Sequence, residues 1–160
     1  MPTLKGFSPV INQRCKILIL GSMPGEESLL RNEYYAHARN YFWRIIGEIL
    51  NTEIGSYRDK KRMLLSNRIA LWDVVHQCTR QGSLDSNIKD IEYNDFASLF
   101  RKYSHITRVF CNGKKAYALF TKKFEHLSSR VEQLPSTSPA NASQALAWKK
   151  RQWKKILRYI

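Results

Sequence analysis

The sequence predicts an α/β protein. It reads as one domain spanning residues 1–160, with a mainly parallel, four-stranded sheet between two helical layers in a three-layer α/β/α arrangement. Two observations carry this. Short runs rich in apolar residues within 16–20, 69–75 and 107–111 are bounded by Gly, Pro or polar turn residues, as expected of buried strands, and 131–134 reads as a short fourth strand ahead of Pro135. The segments between them carry apolar residues at helical spacing, so strands alternate with helices. A chain of 160 residues suits one domain and can bury a core without staples.

Residues 1–14 read as a loosely packed leader. Strand 16–20 follows and turns sharply at Gly21-Ser22-Met23-Pro24-Gly25. A polar-aromatic segment leads to helix 41–50, whose Phe42, Ile45, Ile46, Ile49 and Leu50 fall on one face. Tyr57 to Asn67 reads as a short helix, and residues 69–75 as the second strand. Cys78 to Asn87 is expected to be a polar loop holding Arg80, Gly82, Ser83, Asp85 and Ser86. A helix fits 94–103, with Asn94 as its N-cap. The third strand, 107–111, stops at Asn112-Gly113. A basic helix follows, with Tyr117, Phe120 and Phe124 inward. After the short strand 131–134 comes a small-residue loop, Pro135 to Asn141. A last helix over 142–157 places Leu146, Trp153 and Leu157 on one side and Lys149, Lys150, Arg151, Lys154 and Lys155 largely on others.

Charge is the strongest bulk signal: 27 Lys and Arg against 13 acids leave +14, which points to a polyanionic partner, nucleic acid first. No apolar stretch approaches the roughly 20 residues of a membrane span, and the N-terminus lacks a signal-peptide core. Cys15, Cys78 and Cys111 form no CxxC pair and are too few for a four-cysteine cluster. The four histidines show no metal-ligand spacing, so neither metal nor cofactor is expected. A monomer in a reduced, cytoplasmic compartment is the simplest expectation.

In a parallel sheet, the Gly21 turn, the Asn112 turn and the 135–141 loop gather on one edge, where such sheets bind ligands. Each part has a plain structural reading. Gly21 to Gly25 can be an ordinary connection, Asn40 an N-cap, Tyr34 and Tyr35 core aromatics, Asn112 a turn former, and the basic last helix a solvated face. There is no Gly-x-Ser-x-Gly elbow and no Walker loop. A basic surface, an aromatic cleft and amides at strand ends suit an enzyme that flips a base out of DNA, stacks it and reads its edge.

On these residues the chain resembles the uracil-DNA glycosylase superfamily, over nearly its whole length. Gly21 to Gly25 resembles the superfamily's water-and-base loop. Tyr35-Ala36-His37-Ala38-Arg39-Asn40 with Phe42-Trp43 resembles a block of the mismatch-specific uracil/thymine branch. Leu134 to Asn141 resembles the loop that enters DNA beside the flipped base. Together they are most similar to the hypoxanthine-DNA glycosylase (DNA-deoxyinosine glycosylase) family. Ser22 and Met23 stand where many members carry the water-positioning Asn or Asp, a role the resemblance gives here to Asn40. Leu134 replaces a His of the strongest uracil enzymes, and Ala38 an expected Pro.

The resemblance implies a monofunctional base-excision glycosylase acting on double-stranded DNA with deaminated bases. Asn40 would orient water; Gly21, Ser22, Met23, Tyr35 and Asn112 would bind the flipped base. Ser136, Thr137, Ser138, Pro139, Asn141 and Lys114 would hold DNA. The alternatives are a uracil or mismatch glycosylase of the same fold, a non-catalytic nucleic-acid-binding module and a small-molecule α/β enzyme.

Overall fold

The computed structural model describes residues 2–141 and 143–160. In chain order the strands are β1 (Thr3–Lys5), β2 (Ile17–Gly21), β3 (Ile69–Asp73), β4 (Val75–Thr79), β5 (Lys89–Tyr93), β6 (Arg108–Asn112) and β7 (Val131–Leu134). The helices are α1 (Glu26–Arg31), α2 (Phe42–Ile49), α3 (Tyr57–Ser66), α4 (Phe96–Lys102), α5 (Lys114–Lys123) and α6 (Leu146–Trp153). The main sheet runs β3-β2-β6-β7, all parallel, in the expected α/β/α layering.

Alternation along the strands divides the core in two. Leu18, Leu20, Ala70, Val109 and Cys111 face one side, where Phe96, Leu99 and Phe120 of α4 and α5 pack. Ile17, Ile19, Ile69, Leu71 and Phe110 face the other, against Phe42, Ile45 and Ile46 of α2, Leu64 of α3 and Trp153 of α6. Burial on both faces is why β2 is apolar throughout.

Several expectations are corrected. Of the expected loose leader 1–14, the described residues 2–14 are packed: β1 pairs antiparallel with β4, Val10 bridges Leu71, and the Trp72 indole N–H donates to the Phe7 carbonyl at 2.9 Å. The predicted strand 69–75 stops at Asp73. Val74 donates to the Gly21 carbonyl, and the chain then enters a second, antiparallel sheet, β1-β4-β5, where a polar loop was expected from Cys78. Mixed polarity at His76, Gln77 and Thr79 hides β4, because only Val75 and Cys78 of that strand are buried. Asp95, not Asn94, caps α4, its side chain accepting from the Ser98 N–H. Asn94 is buried and donates to the Asp73 carbonyl at 2.7 Å. The last helix was expected from residue 142, a start outside the described residues. α6 ends at Trp153 and a 3₁₀ turn over Lys154–Tyr159 follows, which changes the period: Ile156 is buried and Leu157 exposed.

Candidate active site

At the carboxyl edge of the main sheet the register aligns Asp73 with Gly21 and Asn112 with Leu134. A cleft of about 420 Å³ opens there. Every residue anticipated as functional lines it: Asn40, the Gly21–Met23 turn, Tyr35, Asn112, Lys114 and the 136–141 loop positions.

Gly21 is the hinge of this geometry. A Cβ there would collide with the Asp73 carboxylate and lie 2.9 Å from the Tyr35 hydroxyl oxygen, so only glycine lets the two groups meet over the strand end. Tyr35 adopts a left-handed backbone, φ 52°, unusual for an aromatic residue. Its ring stacks on Phe42 with centroids 4.2 Å apart, and α2 thereby fixes its plane. The buried hydroxyl passes close to Asn112 without closing a hydrogen bond, and it has no partner among the described residues. Burial, then the nearby Asp73 charge, raises its pKa and keeps it protonated.

Asp73 is a lining residue of the cleft that sequence reasoning missed. It is 4% exposed, and its Oδ2 has no partner among the described residues. Desolvation, reinforced by Asp85 and opposed by Arg80, pushes its pKa up to about 7. The available signal was positional. Asp73 closes an apolar run as Gly21 and Asn112 close theirs, yet it lay inside a predicted strand.

The loop after β4 locks onto the Gly21 turn through contacts the sequence did not disclose. Ser22 Oγ donates to Asp85 Oδ1 at 2.5 Å, Glu26 N–H to Ser83 Oγ at 2.8 Å, and the buried Arg80 to the Pro24 and Gly82 carbonyls.

The opposite wall is closed by hydrogen bonds. Thr137 N–H donates to Asn112 Oδ1 at 3.0 Å, and Asn112 Nδ2 donates to Thr137 Oγ1 at 2.9 Å. This pair fixes the Asn112 amide and leaves one N–H and one lone pair for a ligand. Gly113, at φ 98°, brings the 136–141 loop close; a Cβ there would sit 3.0 Å from the Ser136 Cβ. Ser136 Oγ accepts from the Ser138 N–H and Ser138 Oγ from the Ala140 N–H, tightening the loop. Lys149, expected on a solvated face, is 1% exposed and donates its ammonium to the Asn141 carbonyl. Trp153 Nε1 donates to the Pro135 carbonyl at 2.9 Å, so α6 holds both ends of the loop.

Asn40 lines the cleft while its Oδ1 accepts the Phe42 N–H at 2.9 Å. The N-cap of α2 is Tyr41, so Asn40 is not the cap its place in the sequence suggests; it stands one residue earlier, holds the Phe42 N–H, and keeps one acceptor lone pair. Beside the cleft, burial pushes the Cys111 thiol up to about 12, so it is not a thiolate nucleophile. Among the described residues no group of three His, Cys, Asp or Glu side chains could hold a metal ion, and no helix is long and apolar enough to cross a membrane.

Comparison with known proteins agrees with this architecture. The family model of the uracil DNA glycosylase superfamily matches residues 8–159. A protein from Methanosarcina barkeri, described as Hypoxanthine DNA glycosylase, is 41% identical over 114 residues, 70% of this chain and 72% of the relative. One of the same description from Methanosarcina acetivorans is 37% identical over 139 residues, 86% and 87% of the two chains. A solution NMR structure from Methanosarcina acetivorans superposes with a TM-score of 0.85 at 34% identity, covering 98% of each chain. The chain belongs to the uracil DNA glycosylase superfamily.

Proposed function

We propose that this protein is a DNA-deoxyinosine glycosylase that hydrolyses the N-glycosidic bond of a flipped nucleotide in double-stranded DNA and releases hypoxanthine. The observation that carries the reading is the convergence of Tyr35, Asn40 and Asn112 in one cleft, in a chain 37–41% identical to two proteins described as hypoxanthine glycosylases. The base lies against Tyr35, whose ring is held by Phe42. The remaining Asn112 N–H donates to O6. Adenine offers an amino donor at that position and is rejected. Thr137 engages one N–H and one lone pair of the amide, and the second N–H and second lone pair face the base.

Asn40 holds a water below the anomeric carbon by its free lone pair. A neutral amide orients and does not deprotonate, so the sugar–base bond breaks ahead of water attack. Backbone N–H groups around Ser22 and Met23 face the charge that develops on the base. The 136–141 loop and Lys114 sit at the mouth of the cleft, where hydroxyls and an ammonium suit phosphate oxygens. The protein acts as a monomer inside the cell.

Incubation with a duplex carrying one deoxyinosine tests this. Free hypoxanthine and an intact abasic site are expected, with no strand scission before alkali. An unreacted duplex, or a covalent adduct trapped by borohydride, is the contrary result.

A further inference from the structure

Hypoxanthine differs from uracil in having an imidazole ring, and N7 of that ring is its added acceptor. We infer that Asp73 is a catalytic general acid that gives its proton to N7 of the departing purine, making the cleft selective for purines over pyrimidines. The inference rests on the deoxyinosine reading.

Three observations point there. Asp73 is buried in the wall of the cleft with an unpartnered Oδ2, beside the equally unpartnered Tyr35 hydroxyl. A buried carboxyl oxygen without a donor is costly unless the group carries a proton or a ligand supplies the missing partner. Second, β2 lies between β3 and β6, so Asp73 and Asn112 flank Gly21, with neighbouring strands about 4.8 Å apart. The missing Cβ of Gly21 lets the Asp73 carboxylate and the Tyr35 hydroxyl reach in over the end of β2. O6 and N7 are adjacent on one edge of hypoxanthine, so an Asn112 N–H on O6 and an Asp73 O–H on N7 approach the same edge from two sides. Third, the charged surroundings favour a retained proton. Asp85 faces Asp73 from the loop after β4 and repels its anion. Arg80 opposes this from the end of β4 but is outweighed by burial. Tyr35, Tyr34 and Tyr57 are the remaining titratable groups near it, and each is held protonated by its own burial.

The step balances. The C1′–N9 bond breaks and its electron pair goes to the base. N7 takes the Asp73 proton, so neutral hypoxanthine departs and a carboxylate remains. Water adds to C1′, its oxygen becomes the hydroxyl of the abasic sugar, and its released proton restores Asp73 through solvent. The acid is the group charged at high pH, so the rate falls as pH rises through about 7.

Single-turnover release of hypoxanthine from an inosine duplex, followed from about pH 5.5 to about pH 8.5, reads this limb directly. Asp73→Asn keeps the shape and loses the proton. It is expected to cut the rate about 100-fold at the acid end and to flatten the profile. A folded D73N protein with the parental rate and the parental limb overturns the inference, and so does a flat profile in the unaltered protein. If D73N does not fold, affinity decides, with Asn40→Ala used to slow turnover. A duplex with 7-deaza-2′-deoxyinosine, which has C–H in place of N7, is expected to bind about 10-fold more weakly than the inosine duplex at pH 6, with the gap closing at pH 8. Equal affinity at both pH values overturns the inference. Absence of hypoxanthine release by the unaltered protein at every pH strikes the substrate reading itself. Release with a flat profile strikes the Asp73 role alone.

Discussion

The two walls of the cleft are built on opposite principles. On the β6–β7 side, Asn112, Thr137, Ser136, Ser138 and Lys149 are joined by hydrogen bonds that fix both the amide and the loop. On the β2–β3 side, Tyr35 Oη and Asp73 Oδ2 are buried without partners among the described residues, and Tyr35 has a left-handed backbone. Satisfied networks rigidify, whereas orphaned polar groups cost stability and persist where a ligand completes them. On the proposed reading, one wall positions the base and the other carries the chemistry. It also explains why the protein needs helices α2 and α6 where they are: α2 holds Tyr35 through Phe42, and α6 holds the loop through Lys149 and Trp153.

The contrast is broken most strongly at Asp73. Its folded pKa, about 7, lies above its ordinary value of 3.8. The folded state therefore binds the proton more tightly than the unfolded chain, and this contribution is lost as pH rises from about 4 to about 7. Asp73→Asn removes the cost of burying a carboxylate. At pH 8 urea denaturation is expected to show the variant more stable than the parent by a few kcal/mol, with the gain shrinking toward pH 4. A variant less stable than the parent at pH 8 would mean that the Asp73 side is as well satisfied as the Asn112 side.

Asn112→Ala attacks the ordered wall. It deletes the donor to the base and leaves the Thr137 N–H unpaired. Excision of inosine, and of any uracil the protein accepts, is expected to fall together by about 10- to 100-fold. Selective loss on one base would remove Asn112 from O6.

A smaller effect is expected at Lys149. Lys149→Met preserves the buried stem and removes the ammonium from the Asn141 carbonyl. Fluorescence anisotropy is expected to show DNA affinity about 10-fold weaker, with the stability of the sheet retained, because the loop loses its tether and the core does not. Unchanged affinity would show that the loop holds its shape without α6.

The pattern of what the sequence disclosed follows from the same contrast. β2, β3 and the centre of β6 were legible because both faces are buried, so each is an apolar run with a turn at its end, whereas β7 carries Glu132 and Gln133 between its two buried residues. Gly21, Asn112 and the 135–141 loop could be placed together because strand ends converge on one edge, while Tyr35 and Asn40 joined them through the family resemblance. The small sheet was not legible, since half-buried edge strands such as β5 carry charges at Lys89, Asp90 and Glu92 that read as loop. Asp73 and Lys149 were missed for a common reason: a charged side chain says nothing about its burial until the elements around it are in place. An N-cap was foreseen as the rival reading of Asn40; the cap of α2 falls instead on Tyr41, and Asn40 Oδ1 accepts the Phe42 N–H from one residue further out.

Asn40 is where the account is most directly exposed. In single-turnover assays on an inosine duplex, Asn40→Ala is expected to release hypoxanthine on the order of 100-fold more slowly than the parent, while its DNA affinity changes by less than about 3-fold. Loss of the hydrogen bond to the Phe42 N–H alone would cost about 1 kcal/mol of stability and leave the rate intact. A folded Asn40→Ala protein that excises hypoxanthine at the parental rate would contradict the account.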